Sequence, residues 1–172
     1  MKSASKLDAM SEADAKQALT RCCGASRWVT GMLERRPFGS DTHLLTCADE
    51  VWSQMRPDDY LEAFAHHPRI GASVEALREK FASTAALAAS EQAGALSASE
   101  AELEALRDGN VRYEARFGHI FIVCASGKTA AQMLELLEAR LANDPETELR
   151  IAAAQQHEIT RLRLLLLTPL RG

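Results

Sequence analysis

Apolar side chains recur at intervals of three and four along most of this chain, and proline or glycine interrupts each run. Leu44, Leu45, Ala48, Val51, Trp52 and Met55 show the spacing most clearly. A strand alternates faces every second residue, so this period fits a helix with one apolar stripe. The same reading predicts helices from Ser11 to Arg21, Ser26 to Arg36, Asp58 to His66, Ser73 to Phe81 and Thr84 to Ala93. Three longer ones follow, ending at Phe117, Leu141 and Leu167. One segment breaks the pattern: Ile120–Ala125 is continuously apolar and reads as buried and extended. With no other strand to pair with it, its backbone N–H groups need partners, and a ligand could supply some. The expectation is an all-α fold, a single compact domain of roughly eight helices with one short extended segment.

Punctuation sharpens the boundaries. Cys22-Cys23-Gly24 ends one helix, and Pro37 and Gly39 mark a loop. Pro57 suits a first helical position, and Gly118 suits the residue just past a helix end. Expected caps are Ser11, Ser26, Asp41 or Thr42, Ser73, Ser97 or Ser99, and Ser126, with Asp144-Pro145-Glu146 opening the last helix. Asn110 falls on the apolar side of its helix and needs hydrogen-bond partners, while Gly109 weakens that helix locally. The first ten residues are polar and read as a loose segment, leaving residues 11–172 as the folded domain. No internal repeat is present.

The net charge of -4 gives no reason to expect a nucleic-acid surface. No apolar run approaches the ~20 residues of a membrane span, and the first residues lack the apolar core of a secretory signal. Four cysteines, Cys22, Cys23, Cys47 and Cys124, form no C-x-x-C pair. Reduced thiols in a cytoplasm fit this better than a disulfide framework or zinc site.

The stretch with the most chemistry is Phe64–Gly71, FAHHPRIG. Pro68 disfavours helical geometry at His67, so His67 sits where a helix ends and the chain turns. It is either a helix cap favoured by the dipole or a group aimed into a cleft. Glu91, in Ser90-Glu91-Gln92, reads by itself as solvated. Arg163 lies beside Leu166 and Leu167 and either reaches under an apolar rim or extends to solvent. Gly127-Lys128-Thr129 resembles the end of a phosphate loop, but Ile122 stands where that motif needs glycine. Cys124 as a nucleophile and a metal site from His66, His67 and His157 are further alternatives. Apolar flanks argue against the first, and the absence of H-x-x-x-H spacing argues against the second.

Five pieces in order make the chain resemble the OHCU decarboxylase family, where OHCU is 2-oxo-4-hydroxy-4-carboxy-5-ureidoimidazoline. They are CCGASRWVTGMLERRPF, LEAFAHHPRIG, SEQAG, FGHIFIVCASGKTA and EITRLRL, spanning Cys22 to Leu164. The resemblance implies an all-α, commonly homodimeric enzyme without cofactor or metal, which releases CO₂ from OHCU to give (S)-allantoin in urate catabolism. It implies His67 and Glu91 as catalytic residues, and Pro68, Phe121, Ile122, Val123 and Arg163 as substrate-binding residues, the extended segment through its N–H groups. In one respect the chain departs from the family. Leu87 and Ala88 stand where a tryptophan–serine pair is usual, and Ala88 has no hydroxyl for a ligand. A non-catalytic helical binding module or pseudoenzyme is the competing class.

Overall fold

The computed structural model describes residues 2–67, 74, 75, 77, 78 and 99–167. Among these are eight helices and no strand: α1 (Ser3–Ala9), α2 (Glu12–Cys22), α3 (Ser26–Leu33), α4 (Asp41–Ser53), α5 (Pro57–Ala65), α6 (Glu100–Phe117), α7 (Ala130–Leu141) and α8 (Pro145–Leu165). The all-α expectation holds. Val74, Glu75, Leu77 and Arg78 also have helical backbone. The Ser73 cap and the helix expected over Thr84–Ala93 lie outside the described residues. Contacts group the chain into two compact units, Met1–His67 with Ile151–Gly172, and Pro68–Arg150.

In the first unit α3 packs against α2, α4 and α5. Its apolar stripe drives Trp28 and Met32 fully out of solvent, beside a core that includes Leu19, Leu44 and Phe64. Gly31 permits the approach of α3 to α4, because a Cβ there would stand 2.8 Å from Val51 Cγ1.

The loose N-terminal segment expected over residues 1–10 is replaced, over Ser3–Ala9, by a helix that buries Ala4 and Leu7 completely. The cause is tertiary. Ala4 N–H donates to Asp41 Oδ1 at 2.8 Å, Ser3 Oγ to the Leu165 carbonyl at 3.1 Å, and Lys6 Nζ to the Leu167 carbonyl at 2.7 Å. The Arg36 guanidinium donates to the carbonyls of Leu7 and Met10, both at 2.6 Å. Asp8 in turn accepts from the backbone N–H groups of Phe38 and Gly39.

The second unit is built on α6 and α7. Leu103, Leu106 and Tyr113 meet Met133 and Leu137 in one buried cluster. Gly109 has a packing reason: a Cβ there would fall 2.5 Å from Leu137 Cδ2. Asn110 meets its need locally, donating to the Leu106 carbonyl at 2.9 Å. Helix α7 begins later than expected. Gly127 turns the chain at φ +73°, a left-handed geometry no helix can include. Thr129 rather than Ser126 then caps, with Gln132 returning the bond as a capping box.

Glu148, on the first turn of α8, has no exposed surface. Its carboxylate accepts from Arg140 Nε at 2.7 Å, Asn143 Nδ2 at 3.1 Å and the Tyr113 hydroxyl. Burial is the main force raising the Tyr113 pKa, and its bond to Glu148 adds to it. Removing one partner of a buried ion pair leaves the other charge uncompensated. Glu148→Ala is therefore expected to destabilise the fold by about 3–5 kcal/mol. Urea denaturation followed by circular dichroism measures the loss.

Candidate functional site

Helix α5 begins at Pro57, whose fixed φ and missing N–H suit that position. Ala63 and Phe64 are buried and anchor its far end. The helix stops at Ala65, and the His67 N–H closes on the Phe64 carbonyl at 3.1 Å. His67 thus stands at the helix end, as its place before Pro68 predicts.

Gly24 bears on the same turn. A Cβ at Gly24 would lie 2.2 Å from His66 Cγ and 2.6 Å from His66 Cβ. These are atoms near the backbone, which cannot swing aside. Glycine is required here for close approach, whereas the sequence suggested only a helix breaker.

The His67 imidazole is held on α8. Its Nε2 lies 2.5 Å from Gln156 Oε1. Gln156 Nε2 donates to Thr160 Oγ1 at 3.1 Å, and the Thr160 hydroxyl donates to the Gln156 carbonyl at 3.0 Å. Gln156 and Thr160 are fully buried. Sequence reasoning missed both. The available signal was two polar residues at i+4 and i+8 from Ala152, inside a stripe that continues to Leu164.

Arg163 lies seven residues beyond Gln156, two helical turns and about 10 Å along the same face of α8. It is exposed, and its Nη1 donates to the Arg21 carbonyl at 3.3 Å. Of the two readings of this side chain, the one extending to solvent describes it. Its charge is felt by the neighbouring thiols. Burial raises the Cys22 pKa to about 12 and the Cys23 pKa to about 11, and Arg163 opposes both shifts. Cys23 is further moderated by the neighbouring Ala25 backbone and Thr160 side chain.

In the second unit Phe121, Ile122 and Val123 are buried, in a segment that pairs with no strand among the described residues. The Ile122 carbonyl accepts from Arg140 Nη1 at 2.6 Å, and the same guanidinium lies 4.6 Å from the Phe121 ring centroid. The Arg140–Glu148 pair therefore fixes this backbone from one side. Pro68, Glu91, Leu87 and Ala88 lie outside the described residues.

The competing sites lose ground on particulars. His157 Nε2 bonds Asp49 Oδ1 at 2.7 Å, and its ring stacks on Trp52 with centroids 5.9 Å apart. That engages one of the two ring nitrogens through which an imidazole binds metal. Burial raises the Asp49 pKa, but the hydrogen bonds of Arg161 and His157 outweigh it and hold the carboxyl below its usual value. Cys124 is buried, which suits an inert thiol better than a nucleophile.

The family model for OHCU decarboxylase matches residues 8–165, and the chain belongs to that family. It is 40% identical over 145 residues to the uric acid degradation bifunctional protein TTL of Arabidopsis thaliana, covering 83% of this chain and 44% of that protein. It is 30% identical over 129 residues to the uric acid degradation bifunctional protein PucL of Bacillus subtilis, covering 75% and 25%. The chain thus spans less than half the length of these curated relatives. Among solved structures, an OHCU decarboxylase crystallised in the presence of (S)-allantoin superposes with a TM-score of 0.69 at 37% identity, over 84% of this chain and 92% of that one. An (S)-allantoin synthase structure at 20% identity and TM-score 0.69, over 95% and 53%, shares the fold.

The thiols give a stability test. Folding raises the Cys22 and Cys23 pKa values above the ordinary 9.0. Between pH 9 and 11 the unfolded chain therefore loses protons that the folded chain keeps, and stability falls as pH rises. Wild type should lose thermal stability over that range more steeply than the Cys22→Ala, Cys23→Ala double variant. Scanning calorimetry across the range checks it.

Proposed function

We propose that this chain is a decarboxylase that converts OHCU to (S)-allantoin and CO₂ in urate catabolism, using no cofactor or metal. Family membership supports the reaction. The observation that carries it to residues is the seating of His67 on the α8 face that bears Arg163 two turns on.

The substrate holds a carboxylate and a hydroxyl on one ring carbon. Breaking the carboxylate's C–C bond leaves an electron pair on the ring system, and a proton must then arrive at one face to set the S configuration. His67 is suited to proton transfer near neutral pH, and we assign it the hydroxyl proton and assistance to carboxylate departure. Arg163 offers a planar fork of donors for an anionic or carbonyl edge. Its solvent-facing position leaves the guanidinium accessible to a small anion. Glu91 is the second catalytic group on this reading. Pro68 and the backbone N–H groups of Phe121, Ile122 and Val123 take the substrate-binding roles that the family pattern gives them, the N–H groups stabilising developing negative charge.

The same reading includes a homodimer working in the cytoplasm. Free thiols at all four cysteines fit a reducing compartment, and no helix among the described residues is long and apolar enough to cross a membrane. Sedimentation velocity tests the dimer.

The activity test follows freshly generated OHCU by ultraviolet absorbance and circular dichroism. Wild type is expected to accelerate its loss and yield optically active allantoin. His67→Ala should abolish that acceleration in a folded protein. Arg163→Ala should raise KM at least tenfold, the loss of about 1.4 kcal/mol from a charge-assisted contact. Racemic product at the uncatalysed rate with wild type would instead leave a non-catalytic helical binding module.

A further inference from the structure

We propose that Gln156, oriented by Thr160, is a positioning residue that holds His67 as the Nε2–H tautomer with its ring fixed against α8. The inference rests on the decarboxylase reading for its kinetic consequence, but its physical content concerns the ring itself.

The Thr160 hydroxyl spends its proton on the Gln156 backbone carbonyl at 3.0 Å, so towards the Gln156 side chain it can only accept. The group facing it at 3.1 Å must then be the amide nitrogen of Gln156. That orientation turns Oε1, an acceptor with no proton, towards His67 Nε2 at 2.5 Å. A neutral imidazole can meet an acceptor at that nitrogen only by donating from it, and its remaining lone pair then lies on Nδ1. The flipped amide would set its carbonyl oxygen against a hydroxyl whose proton is already committed, two acceptors face to face, and its NH₂ against His67 Nε2, which would reverse the tautomer.

The surroundings oppose such a flip. Gln156 and Thr160 have no exposed surface, so water cannot replace a lost partner, and an unsatisfied buried amide is costly. A buried glutamine on a helix stripe shared with Ala152, Ala153 and Leu164 is also a poor choice for packing alone. An imidazole held in the wrong tautomer loses much of its rate as a proton-transfer group.

The experiment is nitrogen-15 NMR of the histidine side chains near pH 8, with the His67 signals assigned from the His67→Gln spectrum, alongside steady-state kinetics on OHCU. Wild type should show a protonated Nε2 at His67. Gln156→Met, of similar volume, and Thr160→Val, which frees the amide to turn, should each give a mixed or reversed tautomer. Each should lower kcat roughly tenfold or more with KM changed less than about threefold. Thr160→Ser, which keeps the hydroxyl, should recover most of what Thr160→Val loses. A wild-type His67 protonated on Nδ1 overturns the proposal. So does an unaltered tautomer and kcat in both Gln156→Met and Thr160→Val, and the second of these serves if the first fails to fold. An Nε2–H signal that shifts in the variants of a protein inactive on OHCU would support the tautomer assignment while refuting the decarboxylase.

Discussion

A polar side chain with no path to water must find all its partners inside the protein, and α8 carries three of them: Glu148, Gln156 and Thr160. Each would be costly to bury alone. Glu148 is satisfied by Arg140, Asn143 and Tyr113, and through Arg140 its negative charge reaches the carbonyl of Ile122. Gln156 and Thr160 satisfy each other, and what remains of Gln156 is committed to His67. The same requirement, applied twice on one helix, fixes an extended backbone in one unit and an imidazole in the other. Apolar side chains could fill these positions with less risk, but they could not dictate which way a ring or a carbonyl points.

Charge placement follows a similar economy. Arg140 is buried and paired, so its guanidinium orders neighbouring groups and is not available to a ligand. Arg163 is exposed and bonds a single backbone carbonyl at the long distance of 3.3 Å. Two arginines of the same chain thus do different work, and their surroundings decide which. The thiols of Cys22 and Cys23 are the converse case, since burial keeps them protonated despite the nearby cation.

Much of this was legible in the sequence. The helices α2 to α8 follow from three-four spacing, and Pro57, Ser99 and Gly118 act as expected at their boundaries. The position of His67 followed from the proline after it. What stayed hidden depends on groups distant along the chain. Helix α1 is too short to carry a period of its own and is held by Asp41, Arg36 and the carbonyls of Leu165 and Leu167. Ser26 was expected to cap α3 with its hydroxyl; instead it is the first helical residue, and its N–H is capped by the Glu62 carboxylate from α5. The roles of Gly24 and Gly109 depend on His66 and Leu137, which no local pattern reveals. The His67–Gln156 bond joins residues 89 positions apart, beyond any motif.

The first unit is discontinuous, made of Met1–His67 and a return from Ile151 onward. During synthesis its opening helices leave the ribosome long before the segment that completes them. At ordinary translation speeds the wait is on the order of ten seconds. Over that interval Leu7, Leu19 and Trp28 belong to an unfinished nucleus, while the contiguous unit has all its residues in hand first. The unit that is begun first is therefore the one whose residues are completed last.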